Sequence, residues 1–153
     1  MAYPIEVVKL PAQPALVVRT RVRQADLGAE LRSILPEVFQ FALAQQAGVA
    51  GMPFTRYIST LGEVMEIEAG MPVTKRVPVG GRITLIELPA GPALVTTHFG
   101  PYEGLPAARD AVKAWMREKG KAASDAMWEE YLTDAAEEPN PEKWETRICQ
   151  PIF

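Results

Sequence analysis

Residues 9–18 read KLPAQPALVV and residues 87–96 read ELPAGPALVT. Leu10, Pro11, Ala12, Pro14, Ala15, Leu16 and Val17 thus recur as Leu88, Pro89, Ala90, Pro92, Ala93, Leu94 and Val95, 78 positions later. Prolines that punctuate a turn, followed by Ala, Leu and Val, describe the entry into a strand. Writing that entry twice predicts a duplicated unit, and the flanking sequence repeats as well.

After the first copy, Ala15 to Val22 suits a strand. Leu27, Leu31, Ile34, Leu35, Val38, Phe39 and Ala42 then fall at spacings of three and four, which predicts an amphipathic helix over about 26–47. Asp26 is the expected N-cap and Gly48 the expected stop. Pro36 lies inside the pattern and predicts a kink there, or two short helices. Phe54 to Thr60 and Gly62 to Ala69 read as a hairpin or neighbouring strands, and turn chemistry in GMPVTKRVPVGG closes the half.

The order then begins again. Ile83 to Leu88 and Ala93 to His98 predict strands, and Leu105, Ala108, Val112, Trp115 and Met116 mark a helix over about 103–119 ending at Gly120. Trp128 to Thr133 and Thr146 to Ile152 supply two more strands around the acidic, proline-containing loop DAAEEPNPEKW. Each half reads strand, helix, strand, strand, with Phe54-Thr55-Arg56-Tyr57 aligned on Trp128-Glu129-Glu130-Tyr131. One helix cannot cover both faces of so small a sheet, so two halves are expected to pair about a pseudo-two-fold axis. The expectation is an α+β fold of duplicated βαββ units with a ligand groove between the halves. It makes residues 1–153 one domain, with half-repeats of about 1–75 and 80–153.

Composition narrows the function classes. A 48% hydrophobic content can fill a core, while a formal charge of −3 argues against direct binding to nucleic acid or an anionic membrane. No apolar run approaches the ~20 residues of a membrane-spanning helix. Cys149 has no partner for an internal disulfide and is expected as a buried small residue, and the N-terminus lacks the features of a signal peptide, so a cytoplasmic protein is expected. One histidine excludes a His-rich metal cluster, and neither metal nor cofactor is expected.

The informative positions are those where the two halves disagree. Strand alternation puts Thr55 with Tyr57, and Glu129 with Tyr131, while Glu130 shares the other face with Trp128 and Leu132. The tyrosine is kept, but Thr55 of one half becomes Glu129 in the other. A carboxylate among aromatic rings can receive a cation or serve as a general base. The segment THFGPYEGL sets a turn at Gly100 and Pro101 and brings Tyr102 to the helix start. No Ser or Cys nucleophile accompanies His98, so a scaffold hydrogen bond is the favoured role for this ring over a catalytic base.

LPAGPALVTTHFGPYEGL, WEEYLTD and WETRICQPI, with RYIS and GEVMEIEAGMPV in the first half, resemble the GyrI-like small-molecule-binding domain along essentially the whole chain. That family is similar to the effector-binding domains of multidrug-sensing MerR-type and AraC-type regulators, built from two βαββ units. The resemblance implies a small-molecule partner that is flat, apolar and often cationic. It places the ligand-contacting acid at Glu129 beside Tyr131, with Tyr57 and Tyr102 as groove aromatics; Trp128 is expected as a further ligand contact. With the first strand expected within the first ten residues, no helix-turn-helix module is expected, and direct transcription control is not the expected role. The resemblance also implies an alternative activity, hydrolysis of cyclopropanoid DNA-alkylating compounds, with Glu129 and Tyr131 as the catalytic pair. A further alternative is a DNA gyrase-modulating interaction protein. Haem-binding SOUL-type proteins resemble the architecture too, but His98 gives that reading no support of its own.

Overall fold

A computed structural model describes residues 3–153. In chain order the elements are β1 (Glu6–Leu10), β2 (Gln13–Arg23), α1 (Leu27–Ala44), β3 (Phe54–Leu61), β4 (Val64–Pro72), β5 (Ile83–Leu88), β6 (Gly91–Phe99), α2 (Leu105–Lys119), β7 (Trp128–Tyr131) and β8 (Glu145–Pro151). The contacts define two compact units, Ala12–Pro89 and the residues up to Pro11 together with Ala90–Phe153. This is the α+β, duplicated βαββ architecture expected from the repeat.

In the Ala12–Pro89 unit the antiparallel strand order is β3-β4-β2-β5. In the other it is β1-β6-β8-β7, again antiparallel. The registers establish the duplication residue by residue. Val17 stands opposite Gly70 as Val95 stands opposite Cys149, and those same two residues face Phe54 and Trp128 on their other side. Tyr57 therefore corresponds to Tyr131, and Thr55 to Glu129. Each helix follows a single 3₁₀ turn, Gln24–Asp26 or Tyr102–Gly104, and the two turns keep the 78-residue offset of the quoted repeat.

One exchange crosses the expected half boundaries of about 75–80. β1 pairs with β6, and β5 pairs with β2, so each repeat-entry strand acquires an antiparallel neighbour from outside its own βαββ segment. The two Leu-Pro-Ala sequences are the connections at which this happens, one joining β1 to β2 and the other β5 to β6: Leu10 pairs with Gly91, and Gln13 with Leu88.

Each unit has its own core. Ile34, Val38 and Ala42 of α1 pack on Leu16, Val18, Ile67, Ala69 and Met71. Leu105, Ala108 and Val112 of α2 pack on Leu94, Ile148 and Ile152. Both are the apolar stripe of an amphipathic helix laid on the inward residues of a sheet. Among the described residues, no helix is long and apolar enough to cross a membrane.

Several local expectations change. Of the two alternatives at Pro36, two short helices are not formed: the proline lies within one helix, where residue 36 is exposed and water can serve the carbonyl one turn earlier that lacks a donor. Asp26 precedes α1 but makes no side-chain cap, since the 3₁₀ turn holds it in helical backbone geometry. The stop is not Gly48: the helix closes at Ala44 with Gln46 at φ 55°, where Gln46 N–H donates to Leu43 O (3.1 Å) and Ala47 N–H to Ala42 O (3.0 Å). That is a Schellman closure with glutamine in the left-handed position usually held by glycine. The hairpin β3–β4 turns through Gly62 at φ 64°, as its sequence requires.

Candidate functional site

β7 supplies two faces with different chemistry. Trp128 is buried and donates its indole N–H to Glu130 Oε2 at 3.0 Å. Glu130 also lies 3.6 Å from Arg147 Nε, and Cys149 Sγ lies 3.8 Å from Glu130 Oε2. Trp128, Glu130, Arg147 and Cys149 thus share one face. Trp128, expected among the ligand contacts, is on the opposite face from Glu129. Burial, then the Glu130 carboxylate, push the Cys149 thiol up to about 12, so the thiol is an inert, buried group.

The other face of β7 carries Glu129 and Tyr131. Ile148, directly across from Glu129, belongs to the core under α2, so this face looks toward the helix. Glu129 is only 1% exposed, and Arg109 Nε of α2 donates to its Oε2 at 2.6 Å. A buried carboxylate requires such a partner, because desolvation without compensation is costly. Sequence reading missed Arg109. Its signal was positional: Leu105, Ala108, Arg109 and Val112 share one helical stripe, so an arginine stands among core positions.

On the same face of β7 as Glu129, Tyr131 belongs to a set of aromatic rings. Tyr102 meets Tyr131 edge-on, with centroids 5.9 Å apart and planes at 62°, and lies against Trp144 at 4.9 Å and 34°. Trp144 was also missed as a site residue; its indole N–H donates to Glu138 O at 2.9 Å, which ties the acidic loop to the cluster. Half-burial, and secondarily the carboxylate of Asp134, raise the Tyr102 phenol above its ordinary value.

His98 seats the turn that carries Tyr102. Its Nε2 lies 2.9 Å from Pro101 O, and its Nδ1 lies 2.8 Å from the Tyr3 hydroxyl. A carbonyl can only accept, so Nε2 donates to Pro101 O, while Nδ1 is bonded to the Tyr3 hydroxyl. Both nitrogens are used in the scaffold and the ring is 5% exposed. Tyr57, the counterpart of Tyr131 in the other unit, is partly buried against the core beneath α1.

A family model described as the GyrI-like small molecule binding domain matches residues 3–152. Comparison with curated protein sequences finds no match. Among solved structures, the EcmrR C-terminal domain superposes with a TM-score of 0.88 at 22% identity, covering 100% of this chain and 99% of that one. EcmrR in its complex with DNA gives 0.87 at 23% identity and covers 99% of this chain, which spans only 58% of the EcmrR chain. SAV2435 bound to tetraphenylphosphonium gives 0.64 at 15% identity over 100% of this chain and 94% of that one. A hydrolase from Listeria innocua gives 0.68 at 14% identity, over 99% and 93%. At these identities the likeness is one of fold.

Proposed function

The chain belongs to the GyrI-like small-molecule-binding family, and on that premise we propose that it binds flat, apolar, often cationic compounds through Glu129, Tyr131 and Tyr102. The observation that carries this reading is a fully buried carboxylate on the same strand face as Tyr131, whose ring meets Tyr102. At ~4 Å and an effective dielectric near 20, a cation gains about 4 kcal/mol from an unpaired carboxylate before desolvation, and the Arg109 guanidinium already bonded to Glu129 offsets part of that gain. Each aromatic face adds about 0.5–2 kcal/mol. The tetraphenylphosphonium bound to SAV2435 is a compound of this chemical class on the same fold.

Titration with a fluorescent lipophilic cationic dye tests the reading. Glu129→Gln weakens binding by about 1–3 kcal/mol, the scale of a lost charge-assisted partner. Glu130→Gln, on the opposite face with Trp128, does much less. Equal losses from the two substitutions would mean that the ligand does not use the Glu129 face.

A second reading, hydrolysis of cyclopropanoid alkylators, draws on the pairing of a carboxylate and a phenol on one strand face and on the hydrolase among the structural neighbours. In it Glu129 accepts a proton from water and Tyr131 hydrogen-bonds the reacting group. Binding remains the leading reading, because it needs only the charge and the rings, whereas hydrolysis also needs a water held against Glu129 for the proton transfer.

A further inference from the structure

We propose that Arg109 is a resident counter-ion that occupies Glu129 in place of a ligand, so that a cationic compound binds by displacing the guanidinium. The inference rests on the small-molecule reading above and adds what decides the charge preference of that site. Three observations carry it.

The first is geometric: Arg109 Nε sits 2.6 Å from Glu129 Oε2, on a carboxylate that is 1% exposed, while the Arg109 side chain itself is 26% exposed. The pair thus joins a fully buried carboxylate to an arginine side chain that reaches the surface over about a quarter of its area.

The second comes from the duplication. The 78-residue offset that maps one helix start on the other puts Leu31 at the position of Arg109, and the strand registers put Thr55 at the position of Glu129. Leu31 packs against the core of its unit. Both members therefore differ together: neutral with neutral in one unit, arginine with glutamate in the other. An arginine serving only to cover the helix surface would have no reason to track the strand residue.

The third is chemical. A guanidinium N–H replaces the hydrogen bonds that a carboxylate loses on leaving water, whereas a phosphonium or quaternary ammonium has no donor to offer. Such a cation must compensate for both the lost Arg109 bond and the donor it lacks. Neutral aromatic compounds leave the ion pair intact and meet only the rings.

The experiment compares tetraphenylphosphonium with the neutral dye N-phenyl-1-naphthylamine on the wild-type protein, Arg109→Gln and Arg109→Lys. Arg109→Gln is expected to bind tetraphenylphosphonium roughly tenfold tighter, because the buried charge then lacks its resident partner. The neutral dye should change less than about threefold, and Arg109→Lys should restore wild-type behaviour because a lysine still carries a competing cation. Unchanged or weaker cation binding by Arg109→Gln overturns the proposal. In the wild-type protein, the Nε–H resonance of Arg109 should move on adding tetraphenylphosphonium but not the neutral dye. A resonance that stays in place while the cation binds also overturns the proposal, whether or not the variants fold. If the neutral dye binds and the cation binds to no variant, the displacement idea falls alone. If neither probe binds to any form, the small-molecule reading falls with it.

Discussion

A Cβ placed on Gly104 would lie 2.6 Å from Cε1 and 2.9 Å from Nε2 of His98, so the imidazole fills the space that a side chain at residue 104 would need. This contact, together with the His98 bonds to Tyr3 and Pro101, seats the turn that presents Tyr102 to Tyr131 and Trp144. Gly104→Ala should therefore cost about 1–3 kcal/mol, the usual penalty of overpacking, and should also weaken dye binding by displacing Tyr102. Gly28→Ala is the control, since its Cβ meets nothing closer than Arg32 Nη1 at 3.5 Å. Chemical denaturation of both variants checks the contrast; equal stability would show that the imidazole moves aside freely.

Cys149 should be silent to thiol reagents in the native protein. Burial and the nearby Glu130 raise its ionisation to about 12, so the reactive thiolate is scarce at pH 8. A disulfide-exchange reagent should label no thiol in buffer and one in denaturant. The same shift has a consequence for stability. With a folded value above the ordinary 9.0, the thiol contributes stability that is present below pH 9 and lost as pH rises toward 12. Cys149→Ala should show a shallower alkaline loss of stability than the wild-type protein, and an identical pH profile would contradict the assigned burial effect.

Tyr102 should ionise above an ordinary tyrosine, chiefly through burial and secondarily through Asp134. Difference absorbance during an alkaline titration of wild type and Tyr102→Phe isolates its contribution. Asp134→Asn should lower the value without returning it to normal, because desolvation remains. A full return would assign the shift to Asp134 instead.

The repeat was legible because duplication is written in apolar residues whose spacing is fixed by local geometry. The strand entry at Leu16 and Leu94 and the paired tyrosines Tyr57 and Tyr131 all occupy equivalent register positions. The alternation that puts Glu129 with Tyr131 and Glu130 with Trp128 was legible for the same reason. Nonlocal features were not. The pairing of β1 with β6 and of β5 with β2 depends on long-range hydrogen bonding that no local pattern encodes. Gly70 looks like an ordinary strand glycine, yet a Cβ there would lie 1.8 Å from Leu16 O, a close approach known only once β2 and β4 are aligned. Gln46 closes α1 in a conformation that sequence rules assign to glycine. Arg109 stands among the core positions of its helix, but which acid it meets depends on the packing of α2 on β7, and Trp144 comes from the end of a loop.

Binding and hydrolysis use the same residues and differ in stoichiometry, which makes turnover the deciding measurement. A cyclopropanoid alkylator incubated with the protein is protected by a binder at no more than one equivalent per site, and the compound is recovered intact on denaturation. A hydrolase converts many equivalents to ring-opened product. Under the hydrolytic reading, Glu129→Gln should lower turnover by ~100-fold or more, the scale for loss of a general base, while apolar binding through Tyr102 and Tyr131 persists. Arg109 sharpens the comparison, because its bond to Oε2 competes with water for that oxygen. Removing it in Arg109→Gln should then raise turnover if Glu129 is a base acting through Oε2, and leave product at zero if Glu129 is only a counter-ion. The binding reading predicts stoichiometric protection and no ring-opened product from any of the three proteins. Multiple turnovers by the wild-type protein that vanish in Glu129→Gln would replace it with the hydrolase.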